Sequence, residues 1–308
     1  MSSNQSHKAL VFGSISIDKI VNKYGTFSNI LGGSASYALL ANKANTCDLV
    51  GVVGDDFSNE HFELLSKHSV STNSLTRDNG KTFCWGGDYE DDFSSRKTLY
   101  VNPGVSDTYI PHLSNDSKKC PYLMLGNTAP HLQKKILNQM KIQPYTLLDT
   151  FKLYIDTANK ELKSILKYVD VFCINFNEAK ALSKQDGSDL FQMAQTILNL
   201  GPKSLIIKDG ENGSSYFNNN SEIVKIKAYP LKKVIDTTGA GDAYLGGVLM
   251  GKMQGMHIYD AMKVGAVMAS FCIEGIGVEG LLKFSNAEFK KRLNWMNENH
   301  TSFLENSL

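Results

Sequence analysis

Apolar and polar positions follow two rhythms along this chain, and the changes between them predict its elements. Short apolar runs over 10–17 and 48–53 read as buried strands, and the small-residue stretch 33–44 (GSASYALLANKA) reads as a helix packed closely on a sheet. Asp55 and Asp56 are N-cap candidates for an amphipathic helix over 57–67. Between 81 and 102 the rhythm shifts to alternating aromatic and polar positions, split by Gly86-Gly87 and an acidic turn at 90–92. That shift predicts antiparallel strands inserted into the series, either a small β lid over a site or a plain edge hairpin. From 122 onward, strands at 122–125, 145–148, 169–174 and 204–207 alternate with helices over 132–140, 157–167, 178–184 and 190–198. Such alternation predicts a mostly parallel sheet with helices on both faces.

The C-terminal third continues with a hairpin, 214–217 against 223–226, turning at Asn218-Asn219-Asn220. Two helices rich in Gly and Ala follow at 240–253 and 259–272, and Ser285-Asn286-Ala287-Glu288 has capping-box spacing for a last helix to about 299. The fold class expected is α/β: residues 1–308 as a single domain, a mostly parallel central sheet flanked by helices. A β insertion at about 81–102 completes it, with part of 18–31 as a candidate contributor.

Composition narrows the partners. Lys plus Arg (32) nearly balances Asp plus Glu (31), so no overall field recruits nucleic acid or an anionic membrane surface. No apolar run approaches the roughly 18 residues of a spanning helix. The polar start, 1–8, lacks the basic flank and apolar core of a signal peptide, so a cytoplasmic protein is expected. The five cysteines are odd in number and never spaced C-x-x-C, which predicts reduced, packed thiols in place of a disulfide framework or a zinc site.

The segment richest in chemistry is Asp236-Thr237-Thr238-Gly239-Ala240-Gly241-Asp242. Small residues at 239–241 let backbone N–H groups converge on an anion at a helix start, where the dipole amounts to roughly half a positive charge. A carboxylate at Asp242 would repel a phosphate but is well placed to take a proton from an attacking hydroxyl. From residue types alone, a glycine-rich turn with Asp242 complementing the helix dipole fits equally. Gly246 to Lys252 (GGVLMGK) meets the first seven positions of a P-loop, but Met253 stands where Ser or Thr is needed and the run continues a helix, so it is set aside. Asn175, followed by Glu178, reads on its own first as an N-cap for the following helix, although the two are also hard oxygen donors suited to Mg²⁺. Asp18 is an acceptor for two hydroxyl protons, or a strand-end turn residue.

The stretch DTTGAGDAYLGG resembles the C-terminal signature of the ribokinase-like carbohydrate kinases, and the other segments follow in that family's order. The resemblance implies an anion hole at Gly239, Ala240 and Gly241, and a catalytic base at Asp242. It gives Asn175 and Glu178 to Mg²⁺ and the nucleotide phosphates, partly through water. Lys208, Gly210, Gly213 and Thr237 fall to the nucleotide, and Ala266, Ala269 and Gly275 to an adenine pocket. Asp18, Gly32, Gly33 and Ser34 fall to a polyol. Apart from the resemblance, Asn127, Thr128 and Asp149 follow strand ends, where open α/β sheets take ligands, and Arg96, Phe83, Trp85 and Tyr89 on the inserted strands are candidates to close the site, or packing residues. Ser34-Ala35-Ser36-Tyr37 departs from ribokinase itself, which puts ribose in doubt. The resemblance therefore implies an ATP- and Mg²⁺-dependent transfer of phosphate to an alcohol of a small sugar-like substrate. A nucleoside kinase, with Tyr37, Phe83 and Trp85 stacking a base, and a non-catalytic sugar or nucleotide sensor are the alternatives. Asp236, Thr238 and the loop 274–277 are candidates for a monovalent cation such as K⁺, and the inserted strands for a homodimer contact.

Overall fold

A computed structural model describes residues 8–185, 189–220 and 222–299, with the backbone of 302 and 303. The polar stretch 1–7 lies outside them. In the first third, strands β1 (Ala9–Phe12), β2 (Ser16–Asn22) and β3 (Gly25–Gly32) lead into helix α1 (Ser34–Ala41). Then come β4 (Cys47–Val53), α2 (Asn59–His68), β5 (Ser71–Arg77), β6 (Cys84–Tyr89) and β7 (Arg96–Asn102). The middle alternates β8 (Tyr122–Leu125), α3 (Pro130–Gln139), β9 (Tyr145–Leu148), α4 (Lys152–Thr157), α5 (Asn159–Leu166), β10 (Val171–Asn175), α6 (Phe176–Ser183), α7 (Leu190–Leu198) and β11 (Ser204–Lys208). The last part holds β12 (Ser214–Asn218), β13 (Ile223–Ile226), α8 (Ala240–Met253), α9 (Ile258–Cys272), α10 (Glu279–Leu282), α11 (Asn286–Asn299) and β14 (Ser302–Phe303).

Ten strands form one sheet in the order β14-β13-β12-β11-β10-β9-β8-β1-β4-β5, parallel from β11 to β5 and antiparallel at the β12–β14 edge. Strands β1 and β4 are buried along their whole length, as expected of strands covered on both faces. One apolar core gathers α1, α8 and α9 against the sheet, and a second gathers α3, α5, α6 and α7 on the opposite face. The chain leaves β1 toward β4 on one side and later resumes at β8 on the other. Strand order therefore reverses at β1, and the crevice beyond the carboxyl ends there is where open α/β sheets take ligands.

The second sheet has four strands in the order β3-β2-β6-β7. Its two hairpins are antiparallel, but β2 and β6, which join them, run parallel. Residues 16–32 supply half of it, so the strand expected over 10–17 is two strands in different sheets, broken at Gly13. A side chain at Gly13 would lie 2.5 Å from Ser34 Oγ. The small sheet has its own core of Ile20, Tyr89 and Ile276, and is fastened to the segment before α8 by Asn22 Nδ2 donating to Ile235 O (3.0 Å) and Tyr24 Oη donating to Val234 O (3.2 Å).

Local signals account for most element ends. Asp55 and Asp56 do not cap α2; Ser58 does, accepting from His61 N at 3.1 Å. Asp56 Oδ1 instead accepts from Thr82 N (2.7 Å) and Thr82 Oγ1 (2.8 Å), fixing where the chain enters β6. The helix expected over 157–167 is α5; the short helix α4 before it was not foreseen, nor was β5, whose sequence, STNSLTR, is polar except for Leu75. Ser285 does accept from Glu288 N (3.1 Å), while the Glu288 carboxylate turns to Arg292 and Lys291. GGVLMGK lies inside α8, as its apolar pattern required. The cysteines are free, all buried except the half-buried Cys84. No helix among the described residues is long and apolar enough to cross a membrane.

Candidate active site

The site is built around the first turn of α8. Gly239 stands just before it in the left-handed region, φ 73°, and Ala240 N donates to Thr237 O at 3.3 Å. A side chain at Gly239 would fall 2.3–2.4 Å from carbons of the Tyr37 ring, so glycine is required for both conformation and space. No side chain caps this helix end. The first-turn N–H groups that lack intrahelical acceptors, those of Gly241 and Asp242 foremost, therefore remain available to an anion. The position of α8 is set by close packing on two sides: a Cβ at Gly246 would lie 2.4 Å from Ala38 O of α1, and one at Gly247 2.8 Å from Gly265 Cα of α9.

Facing this turn are the carboxyl ends of three adjacent strands. Lys208 closes β11, Asn175 closes β10 and Asp149 follows β9. Lys208 Nζ pairs with Asp149 Oδ2 at 2.9 Å, both side chains largely buried, and a side chain at Gly241 would come 3.0 Å from the same Nζ. Asn175 and Glu178 form a reciprocal capping box, Glu178 N donating to Asn175 Oδ1 and Asn175 N to Glu178 Oε2, both at 2.9 Å. Capping thus uses one oxygen of each; Glu178 Oε1 is left over. Burial raises the Glu178 carboxyl to about 7, with the Asp149 charge adding to the effect. Asp242 is likewise pushed up to about 7 by burial and by Asp149, against the opposing pull of Lys208 and Arg96. Asp149, Glu178 and Asp242 crowd negative charge that a dication would relieve. Among the described residues no three His, Cys, Asp or Glu side chains form a metal cage. Few protein ligands and much free charge suit Mg²⁺, which keeps several waters and binds chiefly through phosphates.

Across the crevice, Asp18 on β2 is buried, its Oδ1 without a hydrogen-bond partner. Its Oδ2 fills the place of a side chain at Gly32, where a Cβ would come within 1.9 Å, so glycine there is what admits the carboxylate. Burial raises Asp18 to about 7, with the Asp236 charge adding. Gly33, φ 93°, passes against Ser14 O. Ser34 is buried and works inward: Ser14 N donates to its Oγ at 3.1 Å, and that Oγ donates to Asn127 O at 3.4 Å. Ser34 therefore ties the turn after β1 to the turn after β8 at the point where strand order reverses. Tyr37, expected as a stacking residue, lies wholly buried under Gly239 and offers no face to a ligand.

Three residues of the small sheet complete this side. Trp85, Gly87 and Tyr89 share one face of β6 by two-residue alternation, and Arg96 pairs opposite Tyr89. Tyr89 Oη and Thr238 Oγ1 are 2.7 Å apart, linking that face to the segment before Gly239. Thr238 N and Gly277 N donate to the two oxygens of Asp236, at 2.9 and 2.8 Å, so backbone already occupies part of the candidate monovalent-cation position.

The remaining residues expected on the nucleotide side divide. Gly210, φ 53°, is exposed with open space around it, whereas Gly213, φ 89°, is demanded by its hairpin, since a side chain would meet Ile226 O at 2.0 Å. Thr237 is half-buried at the helix start. Ala266 and Ala269 lie on α9, the first buried and the second half-buried, while Gly275 is buried where a Cβ would lie 2.4 Å from Gly280 N. Sequence reasoning missed Phe151, which faces Arg96 from the start of α4, and the pairing of Lys208 with Asp149. These contacts join positions 55 and 59 residues apart, and no local pattern marks them.

Comparison with known proteins adds three findings. The profile of the pfkB family carbohydrate kinases matches residues 6–283. A cytidine kinase of Thermococcus kodakarensis is 27% identical over 267 residues, covering 83% of this chain and 92% of that protein; a 5-dehydro-2-deoxygluconokinase of Bacillus subtilis is 25% identical, covering 80% and 82%. Among solved structures, a candidate ribokinase II from E. coli in complex with ATP and Mg²⁺ superposes with a TM-score of 0.78 at 18% identity, over 94% of this chain and 99% of that one. At that identity the superposition establishes the α/β fold with its second small sheet.

Proposed function

The chain belongs to the pfkB family of carbohydrate kinases, and on that premise we propose that it moves the γ-phosphoryl group of MgATP to an alcohol of a small sugar-like acceptor, with Asp242 as general base. One observation carries this reading: at the start of α8 a carboxylate of raised basicity, uncapped backbone N–H groups and the Lys208 ammonium meet within one helical turn. The acceptor oxygen bonds to the γ-phosphorus as the bond to the β,γ-bridging oxygen breaks. That bond's electron pair leaves with ADP, and the hydroxyl proton passes to Asp242. The free N–H groups of this first turn, those of Gly241 and Asp242 foremost, and Lys208 hold the charge on the transferred group, a kind of stabilisation worth about 3 to 4 kcal/mol per well-aimed donor. Mg²⁺, beside Glu178 and Asn175, supplies neutralisation of the nucleotide phosphates. Asp18, whose Oδ1 lacks a partner, accepts hydroxyl protons of the acceptor over the Gly32-Gly33 backbone. The small sheet acts as the lid that keeps water out. Its exposed edge strand β7 is the candidate dimer contact, checked by solution mass, and K⁺ against Na⁺ in the activity assay checks a cation at Asp236.

The test is ADP release with MgATP across a panel of sugars, sugar acids, cyclitols and nucleosides, run beside Asp242→Asn. Turnover with one acceptor class, and a loss of about a thousandfold in the variant, is the expected result, within the about 10² to 10⁴ associated with a general base. Undiminished turnover in Asp242→Asn overturns the base assignment. Acceptor and ATP binding with no turnover by the wild type favours the sensor reading.

A further inference from the structure

Two cations overlook the crevice, and only one of them has a carboxylate partner. Lys208 is paired with Asp149. Arg96, on β7, has no ion-pair partner among the described residues, yet its head group is held in place. Its guanidinium carbon sits 5.1 Å from the Trp85 ring centroid and 5.8 Å from that of Phe151, and its Nη1 donates to Tyr89 Oη at 3.4 Å. Tyr89 in turn bonds Thr238, in the segment just before Gly239, so the guanidinium lies beside the start of α8, where its charge is also felt at Asp18 and Asp236. Stacking on rings leaves the in-plane N–H fork of a guanidinium free, and that fork matches a carboxylate bidentately.

The same contacts argue against a stacked base. One face of Trp85 is covered by Arg96. The ring also packs along its own strand at Gly87, where a Cβ would lie 2.0 Å from Trp85 Cη2. Tyr37 is buried. Of the three rings expected to stack a nucleobase, one is buried and a second is engaged by Arg96 and its own strand.

We propose that the acceptor is a sugar acid, a polyol bearing one carboxylate that docks on Arg96 while its hydroxyls reach Asp18 and Asp242. This rests on the placing of the acceptor proposed above. A single charge on the acceptor matches the single unpaired cation. A phosphate ester dianion would sit among Asp18, Asp236, Glu178 and Asp242 with one positive group to answer them.

The experiment measures ADP release by the full chain with aldonic and keto-aldonic acids, the neutral sugars and alditols of the same chain length, sugar monophosphates and nucleosides, for wild type, Arg96→Gln and Arg96→Lys. An acid is expected to be the preferred acceptor. Arg96→Gln should raise KM for that acid by about 10- to 100-fold, the range of charge-assisted hydrogen bonds, with the loss falling on KM more than on kcat. Arg96→Lys should recover part of it. Thermal melts confirm that the variants fold. Preference for a neutral sugar, a nucleoside or a sugar monophosphate overturns the inference and leaves the kinase reading standing. An equal fall in kcat for every acceptor in Arg96→Gln overturns it too, by placing Arg96 on the phosphoryl group. If no acceptor is turned over, the kinase reading fails, and calorimetric binding of the acids decides the inference separately: no binding overturns it.

Discussion

The proposed phosphoryl end and the proposed acceptor end of the crevice are built on opposite plans. At the proposed phosphoryl end, Lys208 is paired with Asp149 and Asn175 with Glu178, at or just past the ends of neighbouring strands of the large sheet. At the acceptor end, Asp18 has an unsatisfied oxygen, and Arg96 is held by rings on an exposed edge strand. The first region stores its electrostatics inside the fold, so that altering it costs stability. The second leaves its electrostatics open, so that altering it changes what binds. On the proposed reading, a buried pair and an open cation serve one reaction because they face different substrates.

The sharpest way to break this comparison is to remove each cation and follow stability. Lys208→Met leaves Asp149 buried without its partner and is expected to cost about 3 kcal/mol, a fall in melting temperature of about 5 °C for a chain of this size. Adding Asp149→Leu should recover much of that loss. Arg96→Met is expected to change stability by under about 0.5 kcal/mol. Equal destabilisation by the two single variants would collapse the distinction.

Proton linkage sharpens it further. Asp18, Glu178 and Asp242 each hold their proton to about 7, against unperturbed values of 3.8 for Asp and 4.5 for Glu. The folded chain therefore binds these protons more tightly than the unfolded chain. The stability they contribute is complete below about pH 4 and is lost as pH rises toward about 7. Asp18→Asn removes one share of that loss: it should melt a few degrees above the wild type at pH 8, with the gap closing on acidification. A variant that melts lower at pH 8 than at pH 4, relative to wild type, would show that the Asp18 charge is satisfied in the free protein. The smallest effect is expected at Asn175→Ala, which deletes half of the capping box and should cost about 1 kcal/mol in urea unfolding. A negligible cost would mean that the Asn175 oxygen is not needed by the helix.

How much of this was legible in the sequence follows from how local each feature is. The 239–242 turn, the helix after it and the N-cap at Asn175 are set by neighbouring residues, and all three are where the residue pattern put them; the return bond from Glu178 that completes the cap was not foreseen. The buried strands from 122 to 208 were legible because both faces are covered and their apolar runs are continuous. Strand β5 was not, since one Leu among polar residues carries no period, and the division of 10–17 between two sheets depends on Ser34 packing against Gly13. Asp18 and Gly32 were each readable as types, but their interlock across the β2–β3 hairpin was not. The placement of Arg96 between Trp85 and Phe151 is the extreme case, because Phe151 reaches it from beyond the end of β9.

The ring of Tyr37 lies flat beneath Gly239, and Tyr37 belongs to the helix that begins just after Gly32-Gly33. The segment that shapes the acceptor side and the segment that shapes the phosphoryl side are therefore not separate modules that evolution or an engineer can exchange one at a time. A graft of a relative's residues 31–37 brings in a new shape at position 37, and the turn at 239 must accept it. Changes of acceptor in this lineage should have travelled with compensating changes two hundred residues away, and a chimaera that ignores the pairing would lose turnover before it gained a new specificity.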